Sequence, residues 1–378
     1  MKPITYRKLP TFIKKAIWNG RLFLDLSGYR RCVKEIRTYD NSAIVYPNIW
    51  NKAFRKLLRS GTTFDELANR FYSIGLTNTK RAKKVVDEQI TLICVVKNEH
   101  TRIVEFIQYY RQLGIGKFVF VDDKSTDGTK EFLEKQDDVD LWTSDVAYST
   151  TNRQAWIARL IDQYGFNRWY LVVDSDEFIT YPNCENKPLT DIVSVMNRNG
   201  LKRAHCFLLD MYSKEGLFSS KNTRVTQTYT YFDKNGYVIT DRVKLINISG
   251  GMRVRVFSFK SFFLSKYPLF FAEPGFVPCN SHFSFPFANR KEVLNLGVLR
   301  HYKFSEEDRL KYRERVEKKN FYNGSEEYSI YLDEAGGAAR HLIDHNVSTE
   351  YIDSNSLRKL ELPADAQIDF DLIDSAVG

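Results

Sequence analysis

Ten residues, Trp169–Phe178, constrain this chain more than any others: W-Y-L-V-V-D-S-D-E-F. An apolar run of strand length comes first. Three carboxylates, Asp174, Asp176 and Glu177, follow within four residues. Unpaired buried charge is expensive, so a buried strand ends this way only where the acids meet water or a cation. The open carboxyl end of a sheet is such a place. Hard divalent ions prefer carboxylate oxygens there and keep room for substrate phosphates. The competing reading is an acidic loop, solvated and without a ligand.

The preceding chain supplies the rest of that sheet. I-T-L-I-C-V-V opens at Ile90 and stops at Lys97-Asn98-Glu99; F-V-F-V opens at Phe118 and ends in Asp122-Asp123-Lys124-Ser125-Thr126-Asp127-Gly128-Thr129. Apolar runs this continuous mark strands buried on both faces. Ile103, Phe106, Ile107 and Tyr110 recur at helical spacing between them, and Gly114 and Gly116 stop that helix. A further helix starts at Gly128, a strand is expected over Val139–Trp142, and a helix over Asn152–Tyr164. Strands alternating with helices predict right-handed βαβ units around a parallel sheet, an α/β fold of Rossmann-like type. Lys97–Glu99, Asp122–Asp127 and Asp174–Glu177 then share one rim, in the crevice where open α/β sheets bind ligands. No G-x-G-x-x-G follows the first strand and no Walker lysine motif occurs, which disfavours a dinucleotide fold and a P-loop ATPase.

Composition narrows the partners. The 378 residues carry a net charge of +9, which suits nucleic acid, anionic lipid or a phosphorylated substrate. No nucleic-acid-binding motif occurs and the basic residues are spread, so a phosphate-bearing substrate and a membrane surface are expected and nucleic acid is not. Cys32, Cys94, Cys184, Cys206 and Cys279 lack paired spacing. That argues against a disulfide framework or a zinc site and fits a reducing cytoplasm. No signal-peptide pattern opens the chain, and no apolar stretch of ~18 residues is present to span a bilayer.

Three regions are expected. Residues 1–88 read as a helical, basic extension in which Lys14, Lys15, Arg21, Arg30, Arg31, Lys34 and Arg37 interleave with Phe12, Ile13, Ile17, Trp18, Leu22 and Phe23. It is either a peripheral membrane-surface helix or, as favoured here, a helix packed on the main domain. Lys80–Lys84 (K-R-A-K-K) reads as a charged linker. The main domain covers 89–335, and Glu306–Lys319 within it is a charged helix with many i,i+4 pairs. Residues 336–378 form a tail, acidic from Glu361 and loosely held.

V-V-K-N-E, V-D-D-K-S-T-D-G-T and V-D-S-D-E-F, in this order and spacing, resemble the nucleotide-sugar-binding half of family 2 glycosyltransferases with a GT-A fold. Further segments resemble the bacterial family 2-like branch: Leu209-Asp210-Met211-Tyr212, Tyr231-Phe232-Asp233, Gly250–Phe257, Leu264–Leu269, Ser281-His282-Phe283 and Arg300-His301-Tyr302-Lys303-Phe304. The resemblance covers about residues 90–335. It implies a GT-A enzyme that transfers a sugar from a nucleotide diphosphate, a uridine one by preference, to a glycan or lipid-linked acceptor in surface polysaccharide assembly, with Mn2+ or Mg2+. A nucleotidyltransferase and a non-catalytic nucleotide-sugar-binding module are the alternatives. The first wants a glycine-rich basic loop that K-N-E-H lacks; the second sits poorly with an intact Asp174/Asp176 pair.

The resemblance also implies roles. Asp123 matches the residue that contacts uracil or ribose, Val96 and Asn98 line the base pocket, and Arg153 and Gln154 face the nucleotide. Asp174 and Asp176 match the D-x-D pair, with Asp176 the direct metal ligand. His301 is the candidate to complete the metal shell, and Lys303 the candidate to meet the diphosphate. His282 is a ligand or an acceptor contact. Deprotonating the acceptor hydroxyl needs a base, normally a carboxylate. The candidates are Asp210, which ends the strand-like run Cys206–Leu209, then Glu215 and Glu273. Arg253 and Arg255 would share one side if their segment were a strand, forming an anion clamp; pairing with acids such as Asp233 is the other reading.

Overall fold

A computed structural model describes residues 76–375 apart from 86–88, 219–223, 242–245, 258, 260–261, 274–275, 279–281, 283, 286–291, 319–324 and 335–341. Residues 1–75 and 86–88 of the expected N-terminal extension, 1–88, lie outside the described residues, as does the expected boundary at 335/336.

The elements that position the site are, in chain order, β1 (Leu76–Lys80), β2 (Ile90–Val96), α1 (His100–Gln112), β3 (Lys117–Asp122), α2 (Thr129–Glu134), β4 (Val139–Ser144), α3 (Thr150–Tyr164), β5 (Arg168–Val172), β6 (Glu177–Thr180) and α4 (Leu189–Arg198). They continue with β7 (Arg203–Asp210), α5 (Gly251–Phe257), β8 (Ser265–Ala272), β9 (Val293–His301), α6 (Glu306–Lys318) and α7 (Glu326–Glu334). The strands form one nine-stranded sheet in the order β1-β4-β3-β2-β5-β8-β7-β9-β6. The chain is therefore α/β, with a large mixed sheet flanked by helices.

The first half of the sheet is the predicted one. β2 pairs in parallel with both β3 and β5, and β3 with β4. The order β4-β3-β2-β5 reverses direction between β2 and β5, and that reversal opens a crevice at the strands' carboxyl ends. Both faces are covered. Ile103, Phe106, Ile107 and Tyr110 of α1 pack in one core with Leu92, Phe118 and Phe120, while Trp156, Leu160 and Ile161 of α3 pack in the other with Ile93, Val119 and Val121. Period-2 alternation puts neighbouring side chains of one strand into opposite cores, which is why these strands read as unbroken apolar runs.

The second half is not parallel throughout. β8 runs antiparallel to β5 and β7, β9 parallel to β7, and β6 antiparallel to β9. β6 begins five residues after β5 ends, yet lies at the far edge with β8, β7 and β9 between them. The link Val173–Asp176 must therefore cross the rim over the ends of those strands. Gly297 in β9 permits the close passage of β6, because a Cβ there would sit 2.3 Å from the carbonyl oxygen of Thr180.

Some expectations are corrected here. Leu76–Lys80 is not part of a helical extension but an edge strand antiparallel to β4, and the linker after it is anchored, with Arg81 paired to Asp140 at 3.2 Å. Gly251–Phe257 is a helix, not a strand. It starts after Gly250, whose φ of 132° and closeness to the carbonyl of Gly236 exclude a side chain. The charged segment is the helix expected, α6, and it packs on the domain through the buried Asp308 and Tyr312. The tail is not loose. Leu357, Leu360, Leu362, Ala366, Ile368 and Ile373 join the main core, and the buried Lys187 ammonium donates to the Ile373 carbonyl at 2.9 Å. Among the described residues no helix is long and apolar enough to cross a membrane, and Cys94, Cys184 and Cys206 are buried and free.

Candidate metal and ligand site

Sheet register assembles the centre. β9 lies between β7 and β6, and its last residue, His301, is the cross-strand partner of Asp210 on one side and of Glu177 on the other. The backbone locks this pairing: Met211 N donates to the His301 carbonyl at 3.0 Å, and Tyr302 N donates to the Asp176 carbonyl at 2.9 Å. His301 is thus delivered to the acidic link by two strand neighbours far away in sequence.

One ligand atom each from Asp176, Glu177 and His301 lies within 4.8 Å of the others, so this trio could hold a metal ion. Two carboxylates and an imidazole form an oxygen–nitrogen donor set that suits divalent ions of intermediate softness. His301 Nε2 faces the Asp176 carboxylate at 3.4 Å, and Nδ1 lies 2.7 Å from Asp210. Burial opposes the charge on Asp176, yet His301, with Arg102 and Lys303 behind it, holds that carboxyl well below the usual range. Burial likewise works against charge on His301, but Asp176 and Asp210 together raise its pKa.

Asp174, expected as a ligand, lies outside the trio. Arg153 of α3 grips one of its oxygens and Lys266 of β8 lies 3.1 Å from the other. Burial pushes Asp174 up, but Arg153 and Lys266 overcome it and keep the carboxyl low. Lys266 also bonds the buried Glu177. Burial raises the Glu177 carboxyl, with Lys266 opposing it. Lys266 is a central member of the site that the sequence reading passed over. Its strand, S-K-Y-P-L-F-F-A, carries a lysine and a proline that disguise it. Antiparallel β8 starts at the rim, which places the ammonium at the acids.

The other expected residues divide. Val96 is buried and pairs in register with Asp122. Asn98 does not simply line a pocket: with φ 53° its backbone N–H donates to Ser125 Oγ at 2.9 Å and its side-chain Oδ1 accepts from Thr126 N at 2.8 Å, which ties the loop after β2 to the loop after β3. Asp123 is buried on that second loop, with Lys97 3.6 Å away; burial raises its pKa and Lys97 opposes. Gln154 is buried on α3 beside Arg153. Lys303 pairs with Glu327 of α7 at 2.8 Å, over the rings of Tyr328 and Tyr331. His282 donates from Nδ1 to the Ser265 carbonyl at 2.9 Å; burial, reinforced by Lys266, pushes it down to about 4.

The expected bases fare worse. Asp210 reaches the rim, as expected, but both of its oxygens are engaged: Oδ1 by His301 and Oδ2 by Arg253 Nε at 2.7 Å. Burial would raise this carboxyl, yet Arg253 and His301 hold it at about 2. A carboxylate so held is a poor proton acceptor. Glu215 is exposed in the turn Ser213–Gly216 after β7. Glu273 follows Ala272, the partner of Arg168 at the start of β5, and pairs with Lys202 at 2.8 Å. It therefore sits at the opposite end of the strands from Asp174. The arginine clamp is also dissolved: on a helix, residues two apart face different ways. Arg253 meets Asp210, and Arg255 meets Asp233 at 2.7 Å, the pairing offered as the other reading.

A brace missed from sequence closes the rim. Arg102 of α1 bonds Glu99 at 2.8 Å, Asp308 of α6 at 2.9 Å and the Tyr302 carbonyl at 2.6 Å, while Lys311 bonds the other Glu99 oxygen at 2.8 Å. The site thus interleaves acids with Arg153, Lys266 and Lys303, an arrangement able to hold both a cation and the phosphate oxygens bound to it. No protein-family model matches the chain, and a search of curated proteins finds none that matches it.

Proposed function

We propose that this protein is a metal-dependent glycosyltransferase of GT-A type. It would move a sugar from a nucleotide diphosphate, a uridine one by preference, to a glycan or lipid-linked acceptor in surface polysaccharide assembly. The observation that carries this reading is the convergence of Asp176, Glu177 and His301 on one point at the carboxyl ends of β7 and β9, with Lys266 joining Glu177 to the Arg153–Asp174 pair that follows β5. The resemblance of the three strand-end motifs to family 2 enzymes supports it.

The residues divide the work as follows. Asp176 and His301, with Glu177 beside them, would hold Mn2+ or Mg2+; the nitrogen donor favours Mn2+. A divalent ion there neutralises charge that builds on the departing diphosphate. Arg153 and Lys303 flank the same point and would bind phosphate oxygens, Arg153 as a planar fork. Their present carboxylate partners, Asp174 and Glu327, keep them oriented before substrate arrives. Asp123 lies on the loop after β3, where a base or ribose would rest in the crevice, and Asn98 fixes that loop. Preorganised charge of this kind is the largest lever available for a reaction whose leaving group gains negative charge.

The test is nucleotide release from a panel of nucleotide sugars, with and without Mn2+. The proposal expects Mn2+-dependent release of a nucleoside diphosphate, abolished in Asp176→Asn with the fold retained. No metal-dependent release from any donor would favour a binding module. Pyrophosphate formed from a nucleoside triphosphate and a sugar phosphate would favour a nucleotidyltransferase.

A further inference from the structure

We infer that Asp210 is a positioning residue, not the base: it fixes His301 with Nε2 turned toward the cation, and Arg253 in turn fixes Asp210. This rests on the cation site proposed above and adds to it the chain of side chains that sets its nitrogen ligand, His301.

Three buried groups stand in series. Arg253 Nε lies 2.7 Å from Asp210 Oδ2, Asp210 Oδ1 lies 2.7 Å from His301 Nδ1, and His301 Nε2 lies 3.4 Å from Asp176. Arg253 and Asp210 are each 4% exposed and His301 5%. A carboxylate oxygen only accepts, so Nδ1 carries a proton and Nε2 is the nitrogen left to face Asp176. Metal-bound histidines are commonly held this way, the far ring nitrogen donating to a carboxylate that fixes the ring and its tautomer. The backbone reinforces the geometry, since Asp210 and His301 are register partners on parallel strands.

Arg253 is itself built in. Its guanidinium lies 4.2 Å from the centroid of the Phe262 ring, and Nη1 is 3.5 Å from Glu327. A general base must reach the acceptor hydroxyl within hydrogen-bond distance. Asp210 is 4% exposed and bonded on both oxygens, so it is sealed from an incoming hydroxyl. Its chemistry is spent on the imidazole.

The experiment is a Mn2+ titration followed by the electron paramagnetic resonance of free Mn2+, on the full chain. Asp210→Asn keeps the shape but lets an amide N–H turn toward Nδ1, which removes the preference for Nδ1–H. Mn2+ affinity should fall about 10- to 100-fold. Arg253→Gln, which leaves Asp210 charged but unanchored, should weaken Mn2+ binding several-fold. With 15N-labelled histidine and Cd2+ as a diamagnetic probe, wild-type His301 should show a protonated Nδ1 and a metal-coupled Nε2, and Asp210→Asn should lose that coupling. Should Asp210→Asn fail to fold by circular dichroism, Arg253→Gln decides. Mn2+ affinity within twofold of wild type in the folded variants would overturn the inference, and turnover lost with Mn2+ affinity intact would return Asp210 to the role of base. Wild-type protein that shows no saturable Mn2+ binding would overturn the cation site itself, a separate result.

Discussion

Arg102 and Asp308, 206 residues apart, meet as a buried forked ion pair, with Nη2–Oδ1 at 2.9 Å and Nη1–Oδ2 at 3.1 Å. The same guanidinium binds Glu99 at the end of β2 and the carbonyl of Tyr302 beside His301. One side chain thus ties the end of β2, the strand β9 that carries His301 and helix α6 together. Removing one partner of a buried pair leaves uncompensated charge and costs about 3–5 kcal/mol. Arg102→Ala should lower unfolding stability by that amount, measured by urea denaturation. Arg102→Lys should recover less than half, because an ammonium cannot supply the planar fork. Full stability in the lysine variant would show that charge alone suffices.

Lys266 gives a second test of the same kind. Its ammonium serves both Asp174 and Glu177 from within the sheet. Lys266→Met should destabilise by about 3–5 kcal/mol, and Glu177→Gln in that background should restore part of the loss. A double-mutant cycle should show coupling of at least about 1 kcal/mol, as residues sharing one network do. Strict additivity would mean that the lysine acts elsewhere.

His205 supplies a pH signature away from the site. It is buried on β7, hydrogen-bonded to Asn295 at 3.1 Å and Ser265 at 2.9 Å. Burial pushes the imidazole down to about 4, with the Asn295 bond opposing. An unfolded histidine titrates near ~6.5. Above that value the ring is neutral in both states. As pH falls below it, the unfolded chain takes up a proton that the folded chain resists, so stability is lost between about 6.5 and 4, by roughly 3 kcal/mol in full. His205→Gln removes this titration. Its stability deficit relative to wild type should therefore shrink by about 2 kcal/mol between pH 7 and pH 5; an unchanged deficit would show that His205 does not carry the effect.

Asp123 separates donor binding from metal binding. It is buried on the loop after β3, well away in sequence from the metal trio. Asp123→Ala should weaken uridine diphosphate binding about tenfold or more, the scale of a hydrogen bond to a charged group, while Mn2+ affinity stays at the wild-type value. An unchanged Kd for the nucleotide would remove Asp123 from the base pocket.

The parallel half of the fold was legible because its strands are buried on both faces. Residues 92–96 and 118–121 alternate into two separate cores, so their apolar runs stand out beside Thr91, Lys117 and Asp122. The acids at their ends were legible for the same reason: charge after such a run must be at a rim. The other half was hidden. Lys266 and Pro268 break the apolar pattern of β8, and the lysine makes sense only once Asp174 and Glu177 cross above it. The neighbours of His301 are set by register between strands distant in sequence, which no local pattern records. For Arg253 and Arg255 the pattern allows both a strand-borne clamp and pairing with acids such as Asp233; Gly250-Gly251 starts a helix, which sends the two arginines to different acids. Acidic composition alone predicts a loose tail, but Leu357, Leu360, Ile368 and Ile373 anchor it in the main core.

The central claim is that Asp176 and His301, with Glu177, hold a cation that grips a nucleotide diphosphate. Isothermal titration of uridine diphosphate with and without Mn2+ tests it most directly. The account predicts that Mn2+ tightens nucleotide binding by at least about tenfold, roughly 1.4 kcal/mol, and that Asp176→Asn abolishes this gain while remaining folded. A nucleotide Kd that is the same with and without Mn2+ in the wild-type protein, or a gain that survives in Asp176→Asn, would contradict it.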